Sequence, residues 1–222
     1  VVLVMSPWNY PFMLTMAPAI GAIAAGNCVI IKPSAYAPSV SHVIKKLIDE
    51  TCDPRHVCVV EGGRNENTQL LEQRFDYIFF TGSVNVGKLV MEKASKNLTP
   101  VTLELGGKSP CLVDKNVDLK VAAKRIAFGK YLNAGQTCVA VDYLLIHESL
   151  VESFIQELKE VVNGFFNGNP LNHEQLVKII NKKHFERLNG LLENQNIVMG
   201  GHSDEIRNRI EPTVVLLNSI DN

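Results

Sequence analysis

The sequence predicts an α/β protein: a doubly wound parallel sheet, followed by the start of a second α/β unit. Three observations predict it. Short uninterrupted apolar runs such as Val1-Val2-Leu3-Val4-Met5 read as strands buried on both faces, the signature of a parallel sheet. These runs alternate with segments of helical periodicity, which implies right-handed crossovers. After Gly106-Gly107 the alternation begins again, placing a boundary there.

In chain order, the strand at Val1 to Met5 is followed by a helix over Phe12 to Ala25. That segment is apolar on nearly every side and is expected to be buried against the sheet. Val29-Ile30-Ile31 is the next strand. Val40, Val43, Ile44, Leu47 and Ile48 recur at helical spacing and predict an amphipathic helix. Val57 to Val60 and Tyr77 to Phe80 read as strands, with a helix near Asn67 to Gln73 between them. A helix over Val84 to Ser95 and a strand over Val101 to Glu104 complete the first unit. The second opens with Cys111-Leu112-Val113 and a helix from about Asp118 to Tyr131. Long helices over Leu150 to Phe165 and His173 to Leu192 follow.

Composition excludes several classes of function. Hydrophobic residues make up 46% and charged residues 20%, as in an ordinary globular protein. A net charge of −1, with scattered Lys and Arg lacking interleaved aromatics, gives no reason to expect nucleic acid. No initiator methionine or signal-peptide pattern is present. Residues 1–31 up to Ile31 carry no charge, but Pro7, Pro11, Pro18, Asn9 and Asn27 break the run. No clean apolar stretch of about 20 residues survives, so no membrane span is expected in this segment. Five cysteines without a C-x-x-C pair suggest reduced thiols and a cytoplasmic setting. Six histidines form no H-E-x-x-H or Cys/His cluster, so no metal is assigned.

Three segments carry candidate chemistry. Ala134-Gly135-Gln136-Thr137-Cys138-Val139-Ala140 sets one cysteine in a polar loop suited to exposure, where a thiolate could act as a nucleophile. Cys28 and Cys111 are instead expected to be small buried hydrophobes. Leu103-Glu104-Leu105-Gly106-Gly107-Lys108 ends an apolar strand on a carboxylate, which could serve as a general base. A helix cap or an ion pair with Lys108 is the structural alternative, since an unpaired buried carboxylate is costly. Gly82-Ser83-Val84-Asn85-Val86-Gly87-Lys88 follows a strand and opens a helix, so its backbone N–H groups could meet a pyrophosphate. It departs from G-x-G-x-x-G. It nearly matches the phosphate-binding pattern G-x-x-x-x-G-K-[ST], but Leu89 replaces the magnesium-binding hydroxyl.

Together with Pro7-Trp8-Asn9-Tyr10-Pro11, Lys32-Pro33-Ser34 and Phe80-Thr81-Gly82-Ser83, in this order, these motifs resemble an NAD(P)-dependent aldehyde dehydrogenase, most nearly of the class 3 branch. The resemblance runs over essentially the whole chain. It implies a Rossmann-like cofactor domain over residues 1–106 and a catalytic domain over 107–222, incomplete at its C-terminus. It further implies Cys138 as nucleophile, Glu104 as the base that activates water, and Asn9 with the Cys138 N–H as oxyanion donors. Lys32, Gly82, Ser83, Val84, Asn85, Val86 and Gly87 would bind NAD or NADP, with Lys32 on the adenosine ribose.

The same resemblance implies a small-molecule aldehyde substrate and a homodimer of the full-length protein. The family's chain extends past both ends seen here, so the sequence is expected to be a fragment. It lacks the N-terminal segment and the downstream Glu-x-Phe-Gly-Pro motif that holds the nicotinamide ribose. The chain departs from the family at Ala35, where a glutamate is common, and at Val141, where a proline often follows Cys-Val-Ala. Ala35 weakens strict NAD preference. Two other readings are a non-catalytic remnant that binds nucleotide or partners, and a coenzyme A-acylating dehydrogenase.

Overall fold

The structure, a computed structural model, describes residues 1–217. It divides into two compact units, Val1–Gly106 and Gly107–Asn222.

The first unit is a five-stranded sheet built from β1 (Val2–Met5), β2 (Val29–Lys32), β3 (Val57–Val59), β4 (Tyr77–Thr81) and β5 (Val101–Glu104). The strand order is β3-β2-β1-β4-β5 and every pairing is parallel. The chain therefore winds outward from β1 in one direction, then crosses back to β4 and winds outward in the other. The reversal falls between β1 and β4, the position where such sheets open a crevice at their carboxyl ends.

Strand periodicity divides the core into two layers. Val2, Val4, Val29, Ile31, Val57 and Val59 face α1 (Met13–Ala24) and α2 (Pro38–Thr51), packing with Ala19, Ile44 and Ile48. Leu3, Met5, Ile78 and Phe80 face the other way. They meet Leu71 of α3 (Arg64–Leu71) and Val90 and Ala94 of α4 (Val84–Ser95). The sheet is thus doubly wound, as expected.

Three helices differ from the sequence-based expectation. Only Thr15 and Ala19 of α1 are buried, while Met13 and Ile20 are each 57% exposed. A sheet offers one face to a helix, and these two small side chains make the close approach. The inward stripe of α2 is narrower than expected. Ile44 and Ile48 are buried and Val40 partly so, whereas Val43 and Leu47 face outward. Helix α3 starts earlier than its periodicity suggests, because the Glu66 carboxylate reaches back to the Gly63 N–H at 2.6 Å and caps it.

The second unit pairs β6 (Ser109–Val113) with β7 (Val141–Ile146) in parallel. Between them runs α5 (Leu119–Tyr131), capped by Asp118, whose carboxylate accepts the Val121 N–H at 3.0 Å. Helix α6 (Val151–Phe166) buries Phe154, Leu158, Val162 and Phe166 at every fourth position against Ala123, Ile126 and Ala127 of α5. Asn167 ends it in the left-handed conformation, φ 51°.

The long helix expected over His173 to Leu192 is overturned. Only α7 (Lys182–Gly190) is α-helical there. Residues 173–181 instead form an irregular strap that buries Leu176 and Ile179. The Ile179 N–H donates to Asn208 O at 2.8 Å, a long-range bond that replaces a helical one. Extended Asn181 then caps α7 by accepting the His184 N–H at 2.9 Å. Apolar spacing alone suggested a continuous helix; tertiary partners interrupt it. Two small antiparallel pairs, β8 (Ile197–Met199) with β11 (Val214–Val215) and β9 (Ser203–Asp204) with β10 (Arg209–Ile210), complete the described residues.

Candidate active site

In the first unit, parallel strands bring four of the candidate segments to one edge of the sheet. Asn9 lies in the loop after β1, Lys32 is the last residue of β2, Gly82 follows β4 and Glu104 ends β5. Register ties them closely: Met5 of β1 is opposite both Lys32 and Phe80, and Thr81 is opposite Glu104. The Gly82 N–H continues the ladder one step beyond the strands, donating to Glu104 O at 2.9 Å.

Ser83 is the N-cap of α4, its backbone extended and its Oγ accepting the Val86 N–H at 3.4 Å. Ser83, Val84, Asn85 and Val86 are exposed, so the positive end of the helix faces solvent. Gly87 is buried, and a Cβ there would come within 2.7 Å of the Leu105 Cδ2 atom. The missing side chain lets α4 lie close to the strand that carries Glu104.

Lys32 is only 3% exposed, in contrast to an ordinary solvated strand-end lysine. Its Nζ donates to Gly62 O at 2.7 Å and to Pro33 O at 2.8 Å. An ammonium has three donors, so these two bonds leave one for a ligand group. Burial lowers its pKa from the usual lysine value, and the nearby Glu66 and Glu61 carboxylates partly offset this.

Glu104 itself is exposed, so the cost of burying a bare carboxylate does not arise. The alternative in which it pairs with Lys108 is not realised, because Lys108 forms its ion pair with Asp142 of β7. Ala35 is also exposed, in the turn after Lys32-Pro33-Ser34.

Cys138 belongs to the second unit and is exposed. It occupies a turn closed by the Ala140 N–H donating to Thr137 O at 3.1 Å. Three consecutive left-handed residues lead into it: Asn133 (φ 55°), Ala134 (φ 52°) and Gly135 (φ 76°). Only glycine adopts that region without steric cost, so Asn133 and Ala134 must be held there by their surroundings. On its other side the turn lies against Gly107, where a Cβ would stand 3.0 Å from Cys138 O. That contact explains the second glycine of the Gly106-Gly107 pair.

Among the other cysteines, Cys28 departs from expectation: it is exposed, just ahead of β2, with only its backbone carbonyl engaged by the Val2 N–H. Cys111 is half-buried against the core of the second unit. All five thiols are free.

Two features of this region escape a reading by motif. One is β7 and its Asp142–Lys108 pair. The other is the Gln136 side chain, which bonds Asn133, Lys178 and Ile180. Its identity was visible in the motif, but its partners were not. Among the described residues no group of three or more His, Cys, Asp or Glu side chains could hold a metal ion. No described helix is long and apolar enough to cross a membrane.

Known proteins resemble this chain in sequence and in fold. The profile described as "Aldehyde dehydrogenase family" matches residues 1–219. The 4,4'-diaponeurosporen-aldehyde dehydrogenase of Staphylococcus aureus is 53% identical over 216 residues, covering 96% of this chain and 47% of that protein. Aldehyde dehydrogenase family 3 member A2 of Pongo abelii is 51% identical over 215 residues, covering 97% and 44%. Among solved structures, the substrate-bound state of Staphylococcus aureus AldH superposes with a TM-score of 0.92 at 52% identity, covering 96% of this chain and 47% of that one. A Mycobacterium tuberculosis aldehyde dehydrogenase complexed with NAD+ gives 0.86 at 29% identity, with 96% and 47% covered. The chain spans about half the length of the relatives it matches. On sequence and fold alike, it belongs to the aldehyde dehydrogenase family.

Proposed function

We propose that this chain carries the nucleophile, base and cofactor-binding turn of an enzyme that oxidises an aldehyde to a carboxylic acid with NAD+ or NADP+. The observation that carries the reading is the Cys138 turn. An exposed thiol is set on a backbone that left-handed residues and close packing on Gly107 hold in an unusual shape.

The residues of the first unit fit a dinucleotide. The exposed N-terminus of α4 offers N–H groups and a favourable dipole to a pyrophosphate. The remaining Nζ donor of Lys32 suits a ribose hydroxyl. When bound, the nicotinamide supplies the acceptor for a hydride and its electron pair.

The chain's own groups do the rest. The Cys138 thiolate adds to the aldehyde carbonyl carbon, forming a C–S bond and moving the carbonyl electron pair onto oxygen. The Asn9 amide and the Cys138 backbone N–H hold that oxyanion. Its collapse with loss of hydride leaves a thioester on Cys138. Glu104 takes a proton from water, the hydroxide adds to the thioester, and the C–S bond breaks to release the acid and the thiolate. Glu104 returns its proton to solvent.

In this reading residues 1–106 form the cofactor domain and 107–222 the catalytic domain. The protein would work in the cytoplasm as a homodimer on a small-molecule aldehyde. A panel of aldehydes of increasing chain length, assayed with NAD+ and NADP+, tests it. Reduced cofactor and carboxylic acid should form in equal amounts and vanish in Cys138→Ser. Acid formation that requires added coenzyme A would favour the acylating reading. Nucleotide binding without any turnover would favour a remnant.

A further inference from the structure

The Gln136 side chain bonds two different parts of the second unit. Its Nε2 donates to Asn133 O at 3.1 Å and to Lys178 O at 3.2 Å, while its Oε1 accepts the Ile180 N–H at 2.9 Å. The first bond closes the left-handed stretch that leads into the Cys138 turn. The other two grip the strap at residues 173–181. Gln136 is therefore a clasp between the cysteine loop and a segment more than forty positions away in sequence.

The strap is itself well anchored, so the clasp has something rigid to hold. Leu176 and Ile179 are buried in it. The Ile179 N–H bonds Asn208 O, and Arg209 Nη1 donates to Leu171 O at 2.9 Å and His173 O at 3.1 Å just before it. The loop, by contrast, has a local reason to relax. Asn133 and Ala134 are non-glycine residues in left-handed conformations, at a cost of roughly 1–2 kcal/mol each. Within the loop the Gln136 N–H donates to Asn133 O at 3.1 Å and the Thr137 N–H to Gly135 O at 2.9 Å. A strained turn persists when its surroundings over-determine it.

We propose that Gln136 is a positioning residue for Cys138: it ties the strained loop to the strap and so fixes where the thiol and the Cys138 N–H point. This rests on the aldehyde-oxidation reading for its purpose, but its physical content can be tested without turnover.

The test uses this chain with Gln136→Met, which removes all three bonds, and Gln136→Glu, which keeps the acceptor for Ile180 and loses both donors. Amide hydrogen exchange and the rate of Cys138 alkylation by iodoacetamide are followed by peptide mass spectrometry, with Cys58 in the first unit as internal control. In Gln136→Met, exchange at Gln136, Thr137, Ala140 and Ile180 should rise at least tenfold. The Cys138 alkylation rate should change at least threefold, with Cys58 unchanged. In Gln136→Glu the loop amides and Cys138 should respond while Ile180 stays protected.

If loop exchange rises but Cys138 alkylation holds its wild-type rate, Gln136 is only a structural tie and the proposal fails. It also fails if the loop amides are unaffected in both variants. Should Gln136→Met unfold, seen as exposure of Cys111 in the second unit, the Gln136→Glu result decides. Wild-type turnover is recorded alongside. An inactive wild type counts against the proposed reaction and leaves the exchange and alkylation results to decide the clasp.

Discussion

The Gly82 N–H donates to the Glu104 carbonyl oxygen at 2.9 Å, so the turn that opens α4 and the residue that ends β5 share one hydrogen bond. A shift in either backbone is transmitted to the other. This makes the turn proposed for phosphate binding and the candidate base a single mechanical piece, built from the last rung of a parallel ladder.

Gly82→Ala tests that coupling. A Cβ at Gly82 would lie 2.5 Å from Cζ of Phe80 and 3.2 Å from both Cε atoms. Phe80 is 6% exposed and packed in the core, so its ring cannot retreat as a flexible side chain would. Overpacking of this kind costs about 1–3 kcal/mol. Gly21→Ala is the control, since a Cβ there meets nothing within 4 Å and helical alanine is favoured over glycine by about 0.5–1 kcal/mol. Urea unfolding should show a lower midpoint for Gly82→Ala and an equal or higher one for Gly21→Ala. Equal midpoints for wild type and Gly82→Ala would mean that the turn yields without strain.

Glu104→Gln separates the two half-reactions. An amide cannot take a proton from water, so hydrolysis of the thioester should collapse while its formation is spared. A rapid burst of reduced cofactor, about one equivalent per active site, should persist ahead of a steady rate lowered roughly a hundredfold or more, the usual scale for losing a general base. Loss of the burst as well would assign Glu104 to an earlier step, activation of the Cys138 thiol.

Sequence reading succeeded where one physical constraint dominates and failed where partners are remote. Parallel strands must be apolar on both faces, so Val1 to Met5 was legible as β1. The Cys138 loop was legible as exposed because its residues are polar and include Gly135. The strap was misread because Leu176, Ile179 and Ile180 keep helical spacing, while the bonds that break the helix come from Asn208 and Gln136. Strand β7 was missed because Val141-Asp142-Tyr143-Leu144-Leu145-Ile146 neither alternates cleanly nor runs wholly apolar. Asn9 has no physical signature in a single sequence beyond a proline-flanked loop; only the ordered motifs singled it out.

Cofactor preference should follow from Ala35. A carboxylate in this exposed turn would accept hydrogen bonds from both ribose hydroxyls of NAD and repel a 2′-phosphate; alanine does neither. A hydrogen bond to a charged group is worth about 1.5–3 kcal/mol, roughly tenfold or more in affinity. The wild type should therefore use both cofactors, and Ala35→Glu should shift the ratio of kcat/KM values toward NAD by about tenfold. A ratio that does not move would place the selectivity in other residues.

The buried ammonium of Lys32 should leave its mark on stability as a function of pH. Burial disfavours the charged form, so the folded chain releases this proton at a lower pH than the unfolded chain, whose Lys32 titrates near the ordinary value of 10.5. Between the folded and unfolded values the unfolded state binds more protons, and stability rises with pH. Below that window the full penalty of holding a charge inside applies; above it the penalty is gone. Lys32→Met removes the titration, together with the bonds to Gly62 and Pro33. Unfolding free energies of both proteins, measured by urea titration from pH 7 to pH 10.5, should show the wild type gaining on the variant as pH rises. Lys130, also lowered by burial, is common to both and cancels. A difference that stays constant across this range would mean that the Gly62 and Pro33 carbonyls compensate the desolvation of Lys32 in full.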